Sequence, residues 1–365
     1  MQTIELQDFE SLFDALHKGG YTVIGPTVRD GAIVFDVITG IADLPRGWTD
    51  RQSPGSYALE RLESPAFFHY NIGPVSWKKF LFPPRVKLFT AVRTGKGFEV
   101  ENGGGEEGPM LAFVGIRPCE LSAIRIQDSI FLEGPYADPT YRAMRERTLI
   151  VAVNCVHAGG NCFCASMGTG PRALNTFDLA ITESVDDGTQ RFFVESGSRR
   201  GDDLLDAVPH REATGAESDR VEALIAEAAS SMGKTMNVLN LKNILAEHLE
   251  DPEWDDVARR CMACANCTMV CPTCFCSTVE DVTDLKGEKA ERWRRWDSCF
   301  TMDFTRVAGG IVRPSTRSRY RQWLTHKLAY WVDQFGVRGC VGCGRCITWC
   351  PVGIDITAEV RALRG

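Results

Sequence analysis

Hydrophobic positions in the first half of the chain change period several times, and each change marks an element. Residues 8–18 carry Phe9, Leu12, Phe13 and Leu16 at helical spacing, and Gly19-Gly20 supplies the stop. Residues 21–24 and 33–38 read as two arms of a hairpin, with Ile33, Phe35 and Val37 alternating and Asp30-Gly31 in the turn. Further strands are expected at 86–92, 111–116, 149–154, 179–182 and 191–195. Between 116 and 149, helical spacing over 120–130 and again over 141–146 makes the order strand, helix, strand. That order places two strands side by side and parallel through a right-handed crossover. Residues 102–109, Asn-Gly-Gly-Gly-Glu-Glu-Gly-Pro, are expected to form an exposed loop, because no helix follows to hold a phosphate and two carboxylates would repel one.

From Glu217 onward the apolar positions become helical: Val221, Leu224, Ile225 and Ala228, then Leu239, Leu241, Ile244, Leu245 and Leu249. Residues 320–335 read as an aromatic-rich amphipathic helix, with Trp323, Leu324, Leu328 and Trp331 on neighbouring turns. This change of period puts a domain boundary at 205–220.

A length of 365 residues is enough for two domains, each with its own core. No apolar run approaches the roughly 18 to 20 residues of a membrane span, and the first ten residues lack the basic start and apolar centre of a secretory signal. A cytoplasmic location is the resulting expectation. The formal net charge of −7 argues against nonspecific nucleic-acid binding, which depends on a basic surface.

Cysteine usage changes the picture most. The chain has 15, four of them between 119 and 164 and eleven between 261 and 350. Cytosolic thiols stay reduced, so metal ligation is a better reading than a disulfide framework. Cys261, Cys264, Cys267 and Cys271, followed by Pro272, form Cys-x2-Cys-x2-Cys-x3-Cys-Pro, and Cys340, Cys343, Cys346 and Cys350, followed by Pro351, repeat it. In each run the first three thiols share one tight loop, and the fourth is expected to begin a helix that leaves it. In two-cluster ferredoxins the fourth cysteine of each run ligates the other run's cluster. The expected sets are therefore Cys261, Cys264, Cys267 and Cys350 for one 4Fe–4S cluster, and Cys340, Cys343, Cys346 and Cys271 for the other. Gly342 and Gly344 are read as letting the backbone pass close to the inorganic core. Paired zinc sites are the competing reading, since Cys-x2-Cys pairs also build zinc ribbons. Nearly seventy residues separate Cys271 from Cys340, far more than a compact ferredoxin hairpin needs. The expected fold is an α/β N-terminal domain over 1–215 plus a mainly helical, ferredoxin-like dicluster domain over 216–365.

Cys119 follows the strand expected at 111–116 by a short turn, and Cys155 directly follows the one at 149–154. Parallel neighbours would bring both thiols to the same carboxyl edge, where α/β sheets place ligands. The glycines at 159 and 160 could fold Cys162 and Cys164 to the same point. Four thiolates suffice for a third cluster, with buried structural cysteines or a four-thiolate zinc site as alternatives. His157 lies in that loop as a further candidate ligand or neighbour. Cys274, Cys276 and Cys299 could have redox roles or be buried thiols beside a cluster.

Several strings carry a family resemblance over nearly the whole length: Phe68-His69-Tyr70, Lys78-Lys79-Phe80-Leu81-Phe82-Pro83-Pro84, Gly115-Ile116-Arg117-Pro118-Cys119, Cys162-Phe163-Cys164, Cys271-Pro272-Thr273-Cys274, Trp296-Asp297-Ser298-Cys299 and the run from Gly339 to Cys346. With them the chain resembles the iron–sulfur beta subunits of cytoplasmic, sulfhydrogenase-type nickel–iron hydrogenases, and is similar also to the corresponding iron–sulfur component of anaerobic sulfite reductases. The resemblance implies a non-catalytic electron-transfer subunit of an oxidoreductase complex. Its partners would be the small and large subunits of a nickel–iron hydrogenase, or alternatively a sirohaem sulfite reductase subunit, together with a flavin-containing NAD(P)H-oxidoreductase subunit. Outside the two runs there is no nickel-binding Cys-x2-Cys pair, no convincing dinucleotide fingerprint and no Ser-His-Asp set. A purely structural, cluster-bearing scaffold is the third reading.

Overall fold

Two strands, Leu111–Ile116 and Thr148–Val153, are buried at every residue, the pattern of parallel strands covered on both faces. They are parallel neighbours in register Leu111 to Thr148, as the strand, helix, strand order requires. In the computed structural model, which describes residues 1–103, 108–186 and 188–364, they form the centre of an eight-stranded mixed sheet. Its order is Arg211–Glu212, Gln2–Glu5, Thr189–Ser196, Leu179–Asp186, Thr148–Val153, Leu111–Ile116, Thr22–Arg29 and Ala32–Val37. The four strands from Leu179–Asp186 to Thr22–Arg29 run parallel, and antiparallel partners flank them on both sides. Part of the loop expected at 102–109, residues 104–107, lies outside the described residues.

The helices Pro118–Phe131 and Pro139–Glu146 occupy the connection between the two central strands. Glu10–Lys18 buries Leu12, Phe13 and Leu16 under the sheet, and Phe9 stacks on Phe192 at 3.8 Å between ring centroids. Gly215–Ser230 starts at Thr214, whose hydroxyl accepts from the Glu217 amide while the Glu217 carboxylate accepts from the Thr214 amide.

The C-terminal part holds the helices Leu241–Glu247, Glu253–Arg260, Thr316–Thr325, Trp331–Phe335 and Ile356–Ala362 around their own core of Trp254, Tyr320, Trp323, Leu324 and Leu328. It also contains a long hairpin, Ser277–Thr283 with Lys289–Trp296. That hairpin continues into strand Arg85–Thr94 and then Gly97–Asn102, so one four-stranded antiparallel sheet joins distant parts of the chain. The helix expected at 320–335 is present, interrupted by a π-helical turn over His326–Tyr330. No helix among the described residues is long and apolar enough to cross a membrane.

Candidate iron–sulfur centres

The two cysteine runs adopt the same local shape. Helix Glu253–Arg260 ends at Cys261; Ala263 and Ala265 take left-handed backbone, at φ 51° and 67°; and the short helix Asn266–Met269 carries Cys267. In the second run Gly342 and Gly344 take φ 65° and 73°, and the short helix Arg345–Thr348 carries Cys346. The fourth cysteines, Cys271 and Cys350, lie just past these short helices and do not begin new ones. A proline follows each, and the chain bends at Pro272-Thr273 and turns at Pro351-Val352.

Cys261, Cys264, Cys267 and Cys350 line one cavity, together with Phe300, Tyr320, Trp323, Ile354 and Ile356. The fourth thiol of the second run therefore faces the first three of the first run. Backbone amides point at two of these sulfurs, Ala263 N to Cys261 Sγ at 3.4 Å and Ile354 N to Cys350 Sγ at 3.3 Å. The wall is otherwise apolar, and Cys264 is exposed at the rim.

Cys340, Cys343, Cys346 and Cys271 lie deeper, close enough for their charges to act on one another. Burial pushes the Cys340 thiol up to about 12 and the Cys346 thiol well above the ordinary range. Cys271 goes the other way. A hydrogen bond with Cys274 holds it well below the ordinary range, followed by the Lys327 ammonium, the Thr273 hydroxyl and the Lys78 charge. Lys327 Nζ sits 3.3 Å from Cys271 Sγ.

In the N-terminal region, Cys119, Cys155, Cys162 and Cys164 converge on a second cavity, shared with Arg117, His157, Asn71, Arg345 and Cys343. Cys119 is the second residue of helix Pro118–Phe131, which begins directly after the central strand Leu111–Ile116, and Cys155 follows Thr148–Val153. The Cys155 amide donates to Pro171 O at 3.1 Å, and Cys162 Sγ lies 3.4 Å from Asn71 Oδ1. Burial pushes the Cys162 thiol up to about 12 and the Cys119 thiol well above its usual range. His157 stacks on His69 at 4.2 Å, and burial lowers both imidazoles, His69 to about 4. Burial thus favours the neutral form of both rings.

Buried thiols that resist ionisation carry negative charge only beside a cation, which iron supplies on ligation. The cavities also hold donors suited to a polyanionic core. Arg117 Nε and Arg345 Nη1 are buried without a hydrogen-bond partner, and both side chains line the N-terminal cavity. Arg345 is otherwise tied to Glu120 Oε1 at 2.6 Å, with both side chains almost fully buried. Among the described residues no group of three or more His, Cys, Asp or Glu is arranged to hold a single metal ion.

The structure places the glycines of the second run differently from the sequence reading. A Cβ on Gly342 would meet Cys164 Cα at 2.7 Å, and one on Gly344 would meet Asn161 O at 2.3 Å. The close approach is to backbone of the N-terminal region, and Phe163 N donates to Gly342 O across it at 2.8 Å. Cys274, Cys276 and Cys299 gather behind Cys271. Cys276 and Cys299 are hydrogen-bonded to each other, which lowers the Cys276 thiol to about 7. Sequence reasoning gave Lys78, Arg117, Lys327 and Arg345 no role at the sites. Lys78, Arg117 and Arg345 lie within the strings that carry the family resemblance, and Lys327 stands four residues from both Trp323 and Trp331 on an aromatic helix face.

Residues 260–354 match the family described as 4Fe-4S dicluster domain. No solved structure matches the chain. Over 364 residues the chain is 33% identical to sulfhydrogenase 2 subunit beta of Pyrococcus furiosus, covering 97% of this chain and 96% of the relative. With the paired cysteine runs and the dicluster match, that likeness establishes that the chain belongs to the sulfhydrogenase beta-subunit family and is an iron–sulfur electron-transfer subunit.

Proposed function

We propose that the chain holds three 4Fe–4S clusters and passes single electrons between the small and large subunits of a nickel–iron hydrogenase on one side and a flavin-containing NAD(P)H-oxidoreductase subunit on the other. The ligand sets would be Cys261, Cys264, Cys267 and Cys350; Cys340, Cys343, Cys346 and Cys271; and Cys119, Cys155, Cys162 and Cys164. The observation that carries this reading is the crossing of the two runs, in which Cys350 shares a cavity with Cys261, Cys264 and Cys267. Bound, such clusters each take up and release one electron. The chain's own residues support that role in three ways. Amides of Ala263 and Ile354 donate to sulfur. Apolar rings at Phe300, Tyr320 and Trp323 line the first site against water. Arg117 and Arg345 bring positive charge to the N-terminal site.

The three sets are joined through the second run. Residues 161–164 pack against Val341 to Gly344, with Thr169 Oγ1 donating to Val341 O at 2.7 Å. Cys346 touches the cavity of the first set and Cys343 the cavity of the N-terminal set. This contiguity favours a relay over a scaffold, whose clusters would have no need to adjoin. The cytoplasm is the proposed location. Anaerobic purification of the native complex is expected to yield nickel, flavin and hydrogen-dependent NAD(P) reduction, with about twelve irons in this subunit. A nickel-free complex containing sirohaem would replace the hydrogenase assignment with a sulfite reductase, and about eight irons would remove the N-terminal cluster.

A further inference from the structure

Two lysines are buried beside the second cysteine run, Lys78 at 3% exposure and Lys327 at 4%. Among the described residues neither ammonium contacts a carboxylate. Lys327 Nζ donates to Cys271 Sγ at 3.3 Å, Thr273 Oγ1 at 3.0 Å and Gly339 O at 2.9 Å, which uses its three protons. Lys78 Nζ donates to the carbonyls of Met269, Cys271 and Cys274 at 3.3, 2.9 and 3.3 Å, and lies 4.1 Å over the Trp296 ring. Burying a charge is costly unless an opposite charge answers it. Among the described residues, the groups whose negative charge would answer these two cations most strongly are sulfurs: Cys271, Cys274, Cys340 and Cys346 around Lys327, and Cys271, Cys274 and Cys276 around Lys78.

The backbone makes a local adjustment at Lys327. The residue lies on the π-helical turn His326–Tyr330, between the α-helical segments Thr316–Thr325 and Trp331–Phe335. Single π turns inside α-helices concentrate at functional sites. Among the described residues no lysine hydrogen-bonds a sulfur of the first site, where Cys261 and Cys350 receive backbone amides and Arg319 acts on Cys261 through its charge alone.

We propose that Lys327, assisted by Lys78, holds up the reduction potential of the cluster bound by Cys340, Cys343, Cys346 and Cys271. This rests on the ligand assignment made above. On reduction the cluster gains one electron and a neighbouring cluster loses it; no proton moves, and Lys327 keeps its charge throughout. A fixed positive charge hydrogen-bonded to a ligand sulfur stabilises the more negative, reduced state more than the oxidised one. The weak screening of the interior magnifies the difference. Lys327 is thus a positioning and tuning residue for electron transfer.

The test is an EPR-monitored redox titration of the anaerobically purified, cluster-loaded full chain. In Lys327→Gln one reduction wave is expected to fall so that the reduced-to-oxidised ratio at a fixed potential drops at least tenfold, about 59 mV for one electron. The other waves stay in place. Lys327→Arg is expected to recover most of the shift, and Lys78→Gln to show a smaller fall of the same wave. Full iron content with every wave unmoved in Lys327→Gln overturns the proposal. If Lys327→Gln loses about four irons, Lys78→Gln decides: a fall of one wave at full iron content supports the proposal, and an unmoved wave overturns it. Failure of the ligand assignment looks different, since Cys271→Ser would then leave iron content and that wave unchanged.

Discussion

The two Cys-x2-Cys-x2-Cys-x3-Cys-Pro runs share a backbone and differ in their surroundings. Both bend through two left-handed residues, yet the first run uses Ala263 and Ala265 there and the second uses Gly342 and Gly344. The left-handed turn therefore tolerates a methyl group, at a cost of about 1–2 kcal/mol per residue. Glycine in the second run answers a different demand, the packing of backbone from Asn161 to Cys164 against it. The same contrast runs through the electrostatics. The first site is apolar and opens at Cys264, while the second is enclosed and bounded by Lys78, Lys327 and Arg345. Identical spacing thus makes two sites of different character, one at the rim and one at the junction of the chain's two halves.

The largest expected effect tests whether the runs cross. Cys350→Ala is expected to remove the rim cluster and Cys271→Ala the enclosed one, each lowering iron by about four per chain. Iron assay with EPR checks this, and loss of the same spectral species in both variants would break the comparison. Next in size is Arg345→Met, which leaves Glu120 buried without its guanidinium. A cost of about 3–5 kcal/mol is expected from breaking such a pair, read as a lower denaturation midpoint. An unchanged midpoint would mean the enclosed site is not anchored through this ion pair.

Gly344→Ala places a methyl group against the Asn161 carbonyl, with little freedom for backbone to retreat. About 2–5 kcal/mol of destabilisation is expected from overpacking and left-handed strain together. The smallest effect belongs to the matching position of the first run. Ala265→Gly relieves the strain of φ 67° at the expense of chain entropy, for a net gain of at most about 1 kcal/mol. If denaturation midpoints showed both alanine–glycine exchanges to be equally harmless, the steric difference between the runs would be refuted.

Much of the central sheet was legible because its signals are local. The strand signal at 33–38 and the apolar stretch Leu111–Ile116 needed no partner to be recognised, although Val37 is exposed where Ile33 and Phe35 are buried. Other strands were not legible. Gln2–Glu5 and Arg211–Glu212 are too short for periodicity to register; the first pairs with distant Thr189–Ser196 and the second with Gln2–Glu5. The hairpin Trp48–Ser53 with Ser56–Arg61 is largely polar, so no apolar alternation announced it. The hairpin Ser277–Thr283 with Lys289–Trp296 falls in a region read as helical. Its residues are mostly polar, and one edge pairs with Arg85–Thr94, far away in sequence. Contacts such as Lys87 Nζ to Glu291 Oε1 at 3.5 Å exist only once the strands have met.

At the candidate site, the order of residues along the chain was enough to set the spacing of the thiols. Three cysteines within seven residues must share a loop, because the chain between them is too short to separate them. It was also enough to bring Cys119 and Cys155 out at one sheet edge, since each follows a strand of a parallel pair. What surrounds the sulfurs came from folding alone. Lys327 stands more than fifty residues from Cys271, and Glu120 more than two hundred from Arg345. Charge compensation and steric fit act through space, so residues distant in the chain set the character of a site whose candidate ligands are read from spacing alone.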